Sequence, residues 1–367
     1  MTDSEYMQLA LELAQKGAGW TAPNPMVGAV IVKQGSIIGS GYHQRCGELH
    51  AERNALAACT QSPRGATMYV TLEPCCHYGK TPPCTDAIIQ AGIQRVVIGS
   101  SDPNPLVAGQ GIEILRQHGI SVTLGVLRDA CDKLNQVFFH YIRHQTPYVV
   151  MKYAMTMDGK LATRTGQSKW ITGEPARQRV QQDRHRYTAI MVGVGTVLAD
   201  DPMLTCRLPD CKNPVRIICD THLRTPLQSR IVQSAAKVPT IIATACTNQQ
   251  QTALYQQAGC QVLTVPEQNG HIDLTALMRA LGRQGIDSLL LEGGGTLNWS
   301  ALQAGIVNKV QAYLAPKLFG GAAALSPIAG LGVERPDACV RLTPPQITIL
   351  GNDILLESEV LSCSQES

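Results

Sequence analysis

His50, Glu52, Cys75 and Cys84 are the residues of this chain whose types and spacing point most directly to chemistry. One imidazole and two thiols make three ligands for zinc. Three protein ligands leave the fourth tetrahedral position to water, which distinguishes a catalytic zinc from a structural one. Zinc lowers the pKa of such a water toward neutrality and makes a hydroxide nucleophile available. Glu52 belongs to the same triplet, His50-Ala51-Glu52, where its carboxylate can take the water's proton and pass it to a leaving amine. A closed structural site would need a fourth protein ligand, for which His77 and Cys76 stand nearby. A histidine-x-glutamate pair has no purpose in such a site, which favours the catalytic reading.

Elements must hold these groups in place. The first half alternates helix and strand: a helix over 4–16, a hairpin of 27–32 and 36–42 around Lys33-Gln34-Gly35, a helix over 51–58, a strand over 67–72, and a helix over 84–91 just after Pro83. Strands over 95–99 and 121–126 flank a helix over 111–118. His50 and Cys84 then lie at helix N-termini, whose positive dipole ends favour thiolate over thiol. A boundary falls at Arg143–Pro147, where the proline disfavours helix before it. The second half alternates again, with strands over 148–155, 189–194, 215–219, 240–244, 261–265 and 288–291, helices over 175–185, 249–258 and 274–284, and a terminal hairpin around Gly351-Asn352-Asp353. This alternation predicts a helix-sandwiched sheet in each of two domains, residues 1–145 and 146–367.

Composition narrows the class. The 367 residues suffice for two domains, and 44% hydrophobic with 16% charged residues suits a cytoplasmic enzyme. No apolar stretch approaches the roughly 18–20 residues of a membrane span. The start, Met1-Thr2-Asp3-Ser4-Glu5, is acidic where a signal peptide would be basic. Thirteen scattered cysteines read as reduced thiols and a metal site rather than a disulfide scaffold. A net charge of +3 and 4% aromatic residues argue against nucleic acid as a partner.

Histidine, glutamate, proline-cysteine and a second cysteine are the signature of zinc nucleobase deaminases. The second half of that signature departs from a tight C-x-x-C, because Cys76-His77-Tyr78-Gly79-Lys80-Thr81-Pro82-Pro83 intervenes. With Thr21-Ala22-Pro23-Asn24-Pro25-Met26-Val27-Gly28 and Gly41-Tyr42-His43, that insert resembles the bifunctional riboflavin-biosynthesis deaminase/reductases. The resemblance continues through Met155–Lys160, Ser168-Lys169-Trp170-Ile171-Thr172, Gly195–Pro202 and Glu292-Gly293-Gly294-Gly295.

The resemblance implies two steps on one phosphorylated pyrimidine: hydrolytic deamination by a cytidine-deaminase-like three-layer α/β/α domain, then NADPH-dependent reduction of the ribose to a ribityl chain by a dihydrofolate-reductase-like α/β domain. The expected partners are a small-molecule phosphorylated pyrimidine and further copies of the chain in a homo-oligomer, with neither nucleic acid nor membrane. Carried over, His50, Cys75 and Cys84 bind zinc, Glu52 shuttles the proton, and Asn24, His43 and Lys80 line the deaminase pocket. Ala154, Trp170, Thr196, Asp200 and Thr221 hold NADPH together with Gly294, Gly295, Thr296, Leu297, Asn298, Trp299 and Ser300. Ser168, Arg184, Leu204, Arg207 and Glu292 hold the sugar phosphate. Trp299 is bulkier than the residue this family often has there.

Physical chemistry supports parts of this by itself. The strand Ser288–Leu291 runs into glycines and a helix, so the backbone can approach a ligand and helix-start N–H groups can cradle a phosphate; an ordinary strand-to-helix turn looks the same. No G-x-G-x-x-G fingerprint is present. Arg184 and Arg207 suit bidentate capture of phosphate. Asp200 and Glu292 are the acids nearest a reducing centre, as proton donors or as capping and ribose-binding groups. Thr221 and Arg224 are expected to read the NADPH 2′-phosphate. Two rival readings follow: a nucleic-acid or nucleoside deaminase with an appended nucleotide-binding domain, and a C-terminal half that senses or scaffolds without catalysing.

Overall fold

Thr2 and Glu5 form a reciprocal capping box that starts α1 (Asp3–Gln15). The computed structural model describes residues 1–78, 82–104 and 107–361, and the chain divides into two units, 1–145 and 146–367. After α1 the first unit continues with β1 (Gly28–Lys33), β2 (Ser36–Tyr42), α2 (Ala51–Ala57), β3 (Thr67–Leu72), α3 (Cys84–Gln90), β4 (Arg95–Ser100), α4 (Gln110–Gln117), β5 (Ser121–Leu124), α5 (Arg128–Leu134) and α6 (Gln136–His144). Gln34 and Gly35, with φ of 50° and 80°, close the β1–β2 hairpin by a turn whose twist matches the strands.

The five strands of this unit lie in the order β2-β1-β3-β4-β5, with β3, β4 and β5 parallel. Alternate residues face opposite layers. Ala29, Ile31, Met68, Val70, Val96 and Ile98 pack under α2, α3, α4 and α6, while Val30, Val32, Tyr69 and Val97 pack under α1 and α5. The domain is thus three-layered. Gly41 lets α2 lie directly on β2, since a Cβ there would come within 2.5 Å of the Ala55 amide nitrogen.

Helices α5 and α6 were not expected from the sequence. Helix α5 is short and carries few apolar residues. Helix α6 opens with Val137-Phe138-Phe139, residue types that favour strands when packing does not decide.

The second unit runs β6 (Tyr148–Thr156), α7 (Glu174–Arg186), β7 (Ala189–Gly193), α8 (Val194–Asp200), β8 (Val215–Cys219), α9 (Arg230–Gln233), β9 (Thr240–Thr244), α10 (Gln249–Gln257), β10 (Gln261–Thr264), β11 (Glu267–Gln268), β12 (His271–Ile272), α11 (Leu274–Arg283), β13 (Ser288–Leu291), α12 (Gly295–Gln303), β14 (Lys309–Ala315), a 3₁₀ turn at Pro336–Ala338, β15 (Gln346–Leu350) and β16 (Asp353–Glu359). Its nine-stranded sheet has the order β10-β9-β8-β7-β13-β6-β14-β16-β15, parallel up to β14 and antiparallel at the terminal hairpin. Helices α11 and α12 cover one face through Leu274, Leu277, Leu281 and Ala301. On the other face α7 packs Ala176 and Val180 on Tyr313 and Leu355.

Strand β14 was missed in the sequence because it buries Lys309 and Gln311. Glu357, on a neighbouring strand remote in sequence, pairs with Lys309 at 2.8 Å and accepts from the Gln311 amide nitrogen at 3.1 Å.

Candidate active sites

In the first unit, the site forms at the C-terminal ends of the adjacent parallel strands β3 and β4, where open α/β sheets collect ligands. Strand β3 leads through Glu73 and Pro74 to Cys75. The Cys75 carbonyl accepts the amides of Cys84 at 3.0 Å and Thr85 at 3.2 Å, and so caps α3. His50 is the N-cap residue of α2, and Cys84 is the first residue of α3. The His50 Nδ1 lies 3.5 Å from Cys75 Sγ and 3.4 Å from Cys84 Sγ, and all three donor atoms fall within 4.8 Å of one another. Imidazole with two thiols is a zinc donor set, and the residues fit the ion.

Electrostatics prepare the site. Hydrogen bonding from Cys84, helped by His50, holds the Cys75 thiol down to about 4, and the same bond with burial pushes the Cys84 thiol up. Burial pushes the Glu52 carboxyl up to about 7, and the negative charge of Cys75 adds to the effect. A carboxyl poised there can exchange protons near neutral pH. His43 donates Nδ1–H to the Leu49 carbonyl at 3.1 Å, so its Nε2 accepts from the Asn24 amide at 3.3 Å. Burial lowers the His43 pKa and keeps the ring neutral, which fixes that pattern. Asn24 keeps its Oδ1 and one N–H for a ligand. Its loop is fixed because Asn135 binds both the amide and the carbonyl of Met26, at 2.8 Å and 2.9 Å.

Asn24, His43, His50, Glu52 and Cys75 line a cavity of about 410 Å³. Cys76, half-buried, is outside the three-residue cluster. Lys80 lies outside the described residues. Sequence reading missed Glu48, Asp102 and Asn104, which also line the cavity, and named His77, another lining residue, only as a possible fourth metal ligand. The signal for Asp102 and Asn104 was their position just past a parallel strand. Glu73, buried, anchors that wall by accepting the amides of Gly109 at 3.1 Å and Ile112 at 3.2 Å. If Cys75 alone of the adjacent pair is a ligand, Cys75→Ser will purify with little zinc and no deaminase activity, whereas Cys76→Ser will keep both. Metal content measured on the two purified variants decides it, and the opposite pattern would exchange their roles.

In the second unit, β7 and β13 are neighbours, and each leads straight into a helix with a glycine at the N-cap, Gly193 before α8 and Gly294 before α12. The first amides of α12, at Gly295, Thr296 and Leu297, precede its first internal hydrogen bond, from Asn298 N–H to the Gly294 carbonyl at 3.0 Å. An added Cβ at Gly294 would meet nothing within 4 Å, so this turn is open to a phosphate-bearing cofactor. Thr196 lies in the first turn of α8, Asp200 is exposed at its end, and Thr221 follows β8. Ala154 sits half-buried on β6. Trp170 is exposed, with the Arg177 guanidinium 4.8 Å from its ring. Ser168 is half-buried in the same loop.

The structure specifies three of these expectations further. Gly294 caps α12 and Gly295 to Ser300 form its first turns, where Asn298, Trp299 and Ser300 already hold contacts within the protein. Asn298 is wholly buried with its amide on the Pro327 carbonyl at 2.9 Å, and Trp299 packs against Gly330. Ser300 bonds back to the Thr296 carbonyl at 3.0 Å.

Arg184 is not a free phosphate fork. Its Nε and Nη2 clasp Glu292 at 2.9 Å and 3.0 Å, and its Nη1 reaches the Thr205 carbonyl at 3.1 Å. Burial pushes the Glu292 carboxyl up, but Arg184 and then Lys152, 3.5 Å away, outweigh it and hold the pKa at about 2. Glu292 therefore stays ionised at neutral pH and cannot be the proton donor. Lys152 was missed, although a lone cation inside the apolar run of β6 was a visible signal. Leu204 is buried with φ of 51°, and Arg207 is exposed.

Comparisons with known proteins match both halves. Residues 1–100 match the model of the cytidine and deoxycytidylate deaminase zinc-binding region, and residues 147–356 match that of the RibD C-terminal domain. The chain is 56% identical over 362 residues to the riboflavin biosynthesis protein RibD of Actinobacillus pleuropneumoniae, covering 99% of this chain and 96% of that one. With the Escherichia coli protein of the same name it shares 44% over 333 residues, 87% of this chain and 89% of that one. The diaminohydroxyphosphoribosylaminopyrimidine deaminase/5-amino-6-(5-phosphoribosylamino)uracil reductase of Thermotoga maritima superposes with a TM-score of 0.87 at 37% identity, over 98% of this chain and 99% of that one. A zinc-type donor set with a buried glutamate in one unit, an anion-ready strand-to-helix turn in the other, and full-length relatives agree: the chain belongs to the family of bifunctional riboflavin-biosynthesis deaminase/reductases.

Proposed function

We propose that the cavity of the first unit deaminates the diaminohydroxyphosphoribosylaminopyrimidine and that the strand ends of the second unit reduce the ribose of the deaminated product. His50, Cys75 and Cys84 hold the zinc, which supplies when bound the Lewis acidity that makes a water nucleophilic at neutral pH. Glu52 takes a proton from the attacking water and delivers it to the departing amine. Asn24 and the neutral His43 orient the pyrimidine edge through the groups their mutual hydrogen bond leaves free. Lys80 is assigned a contact to the substrate on its place in the sequence.

In the second unit NADPH supplies the hydride. The first amides of α12, with Ala154, Trp170, Thr196, Asp200 and Thr221, hold the cofactor. Leu204, Ser168 and the unencumbered Arg207 grip the sugar phosphate. Glu292, kept anionic by Arg184 and Lys152, accepts hydrogen bonds from the ribose hydroxyls. The single observation that supports the reading is the cluster of His50, Cys75 and Cys84, two of which, His50 and Cys75, line one cavity with Glu52. The test is a coupled assay: ammonia release on adding the pyrimidine, then loss of NADPH absorbance. Ammonia release with no NADPH oxidation on the deaminated product would leave the second unit a sensor or scaffold.

Arg224, exposed beyond the end of β8, is assigned to the NADPH 2′-phosphate. Arg224→Gln is expected to raise KM for NADPH by roughly tenfold with little change for NADH. An equal effect on both cofactors would remove Arg224 from that role.

One sheet face supports the expected homo-oligomer. In-register rows Ile347–Leu356–Ala312 and Ile349–Ile354–Leu314 make an uncharged sheet face on which Ile347 and Ile349 are 61% and 65% exposed. Ile347→Lys should lower the molar mass in solution if a second copy covers it.

A further inference from the structure

We propose that Lys317 is a positioning residue of the reduction step: its ammonium group fixes the backbone at Trp170 and Ile171, and so sets where the Trp170 ring stands against the cofactor. The proposal rests on the reading of Trp170 as part of the grip on NADPH.

Residues 157–173, between β6 and α7, form neither strand nor helix. Their backbone groups must therefore find partners outside any regular ladder. Lys317 Nζ donates to the Trp170 carbonyl at 2.9 Å and to the Ile171 carbonyl at 2.6 Å. Arg177 Nη1 donates to the Thr172 carbonyl at 2.7 Å. Asp353 Oδ2 accepts the Gly173 amide at 2.6 Å. Three successive carbonyls and the amide that follows are thus held by side chains from just past β14, from α7 and from the start of β16.

The segment is a fixed base from which one ring projects. Ile171 and Thr172 are buried, whereas Trp170 is 59% exposed. The Arg177 guanidinium that holds the Thr172 carbonyl also backs the Trp170 ring by a cation–π contact. What remains exposed of the indole is a surface on which a planar ring of the cofactor can stack.

Lys317 is itself well anchored. Its amide donates to the Ala315 carbonyl at 2.7 Å, and its carbonyl accepts the Met157 amide at 2.9 Å. Ala315 and Thr156 close the parallel pair of β14 and β6. The ammonium group therefore starts from the C-terminal edge of the parallel strands, the edge at which such sheets collect ligands. Of the three anchors, Lys317 alone holds two carbonyls. Lys317 is also exposed, so water can replace its ammonium group and the fold survives its loss. Water satisfies the carbonyls but does not fix them. A misplacement of about 1 Å in a binding group can cost up to about a hundredfold.

The test is Lys317→Met in the full-length enzyme, which keeps the apolar stem and removes the donor. KM for NADPH is expected to rise by about tenfold, while kcat at saturating NADPH and deamination hold. Lys317→Arg, whose guanidinium can still donate to two carbonyls, should restore most of the affinity. In a Trp170→Ala background the same Lys317→Met change should add little, because residues that act through one another are not additive. An unchanged KM for NADPH in Lys317→Met, or a loss of unfolding stability with no change in KM, would overturn the proposal. So would the same factor on both backgrounds, since Lys317 would then act without Trp170. Trp170→Ala by itself tests the underlying reading. If it leaves KM for NADPH unchanged, Trp170 does not hold the cofactor, whatever Lys317→Met does.

Discussion

Glu52→Gln is expected to retain its zinc, to lose deaminase activity by about 10²–10⁴-fold, and to reduce supplied deaminated substrate at the unaltered rate. Glutamine keeps the size and one acceptor of the carboxylate but cannot take up a proton. Glu52 is buried, and desolvation already presses its carboxyl toward the neutral form. The substitution therefore removes no stabilising charge, and the fold should tolerate it. The three zinc donors are other residues, so metal content should match that of the unaltered enzyme. Metal analysis, ammonia release and NADPH oxidation, measured on one preparation, separate the outcomes. Loss of both activities in a folded, zinc-loaded variant would mean that the two sites do not work independently. Appreciable deamination would take the proton shuttle away from Glu52.

The second large effect is expected at Glu292. Its carboxylate lies between Arg184 and Lys152, each with only 14% of its side chain exposed. Replacing it with glutamine leaves two buried cations facing each other without an anion. Breaking a buried pair in this way costs about 3–5 kcal/mol, and reductase activity should fall with it while deamination survives. The pH dependence gives a second signature. The folded-state pKa of about 2 lies below the ordinary glutamate value of 4.5, so this carboxylate stabilises the fold fully above that value. Its contribution drains away as the pH falls from about 4.5 toward 2, and amounts to something on the order of 3 kcal/mol. Denaturant unfolding of the second unit, followed across that window, should show the loss in the unaltered protein and a flatter profile in Glu292→Gln. Equal stability of the two proteins at neutral pH would mean that Arg184 and Lys152 find other partners.

The two sites were legible in the sequence to different degrees, for a physical reason. The zinc ligands and Glu52 lie in short segments at helix starts and a strand end, where residue type and spacing nearly determine geometry. His50, Glu52, Cys75 and Cys84 could therefore be read before any fold was known. The reductase site is assembled from strand ends far apart in the chain. Glu292 and Arg184 were both named from the resemblance, but nothing local says that one clasps the other. Only their meeting across the fold turns a presumed phosphate ligand into a positioning group and a presumed acid into a permanent anion. Asn298 and Trp299 show the same limit: the fold seats the Asn298 amide on the Pro327 carbonyl and Trp299 against Gly330, partners about thirty residues away in sequence. Strand β14 and helix α6 were hidden because tertiary partners override local preference. Glu357 pairs with the buried Lys309 and the Gln311 amide nitrogen, and a sheet surface receives Phe138 and Phe139. Residue chemistry at contiguous segments was decided by the sequence alone. Pairings between distant charges, and the directions in which helical side chains point, were decided by packing, because desolvation and electrostatics act through space rather than along the chain.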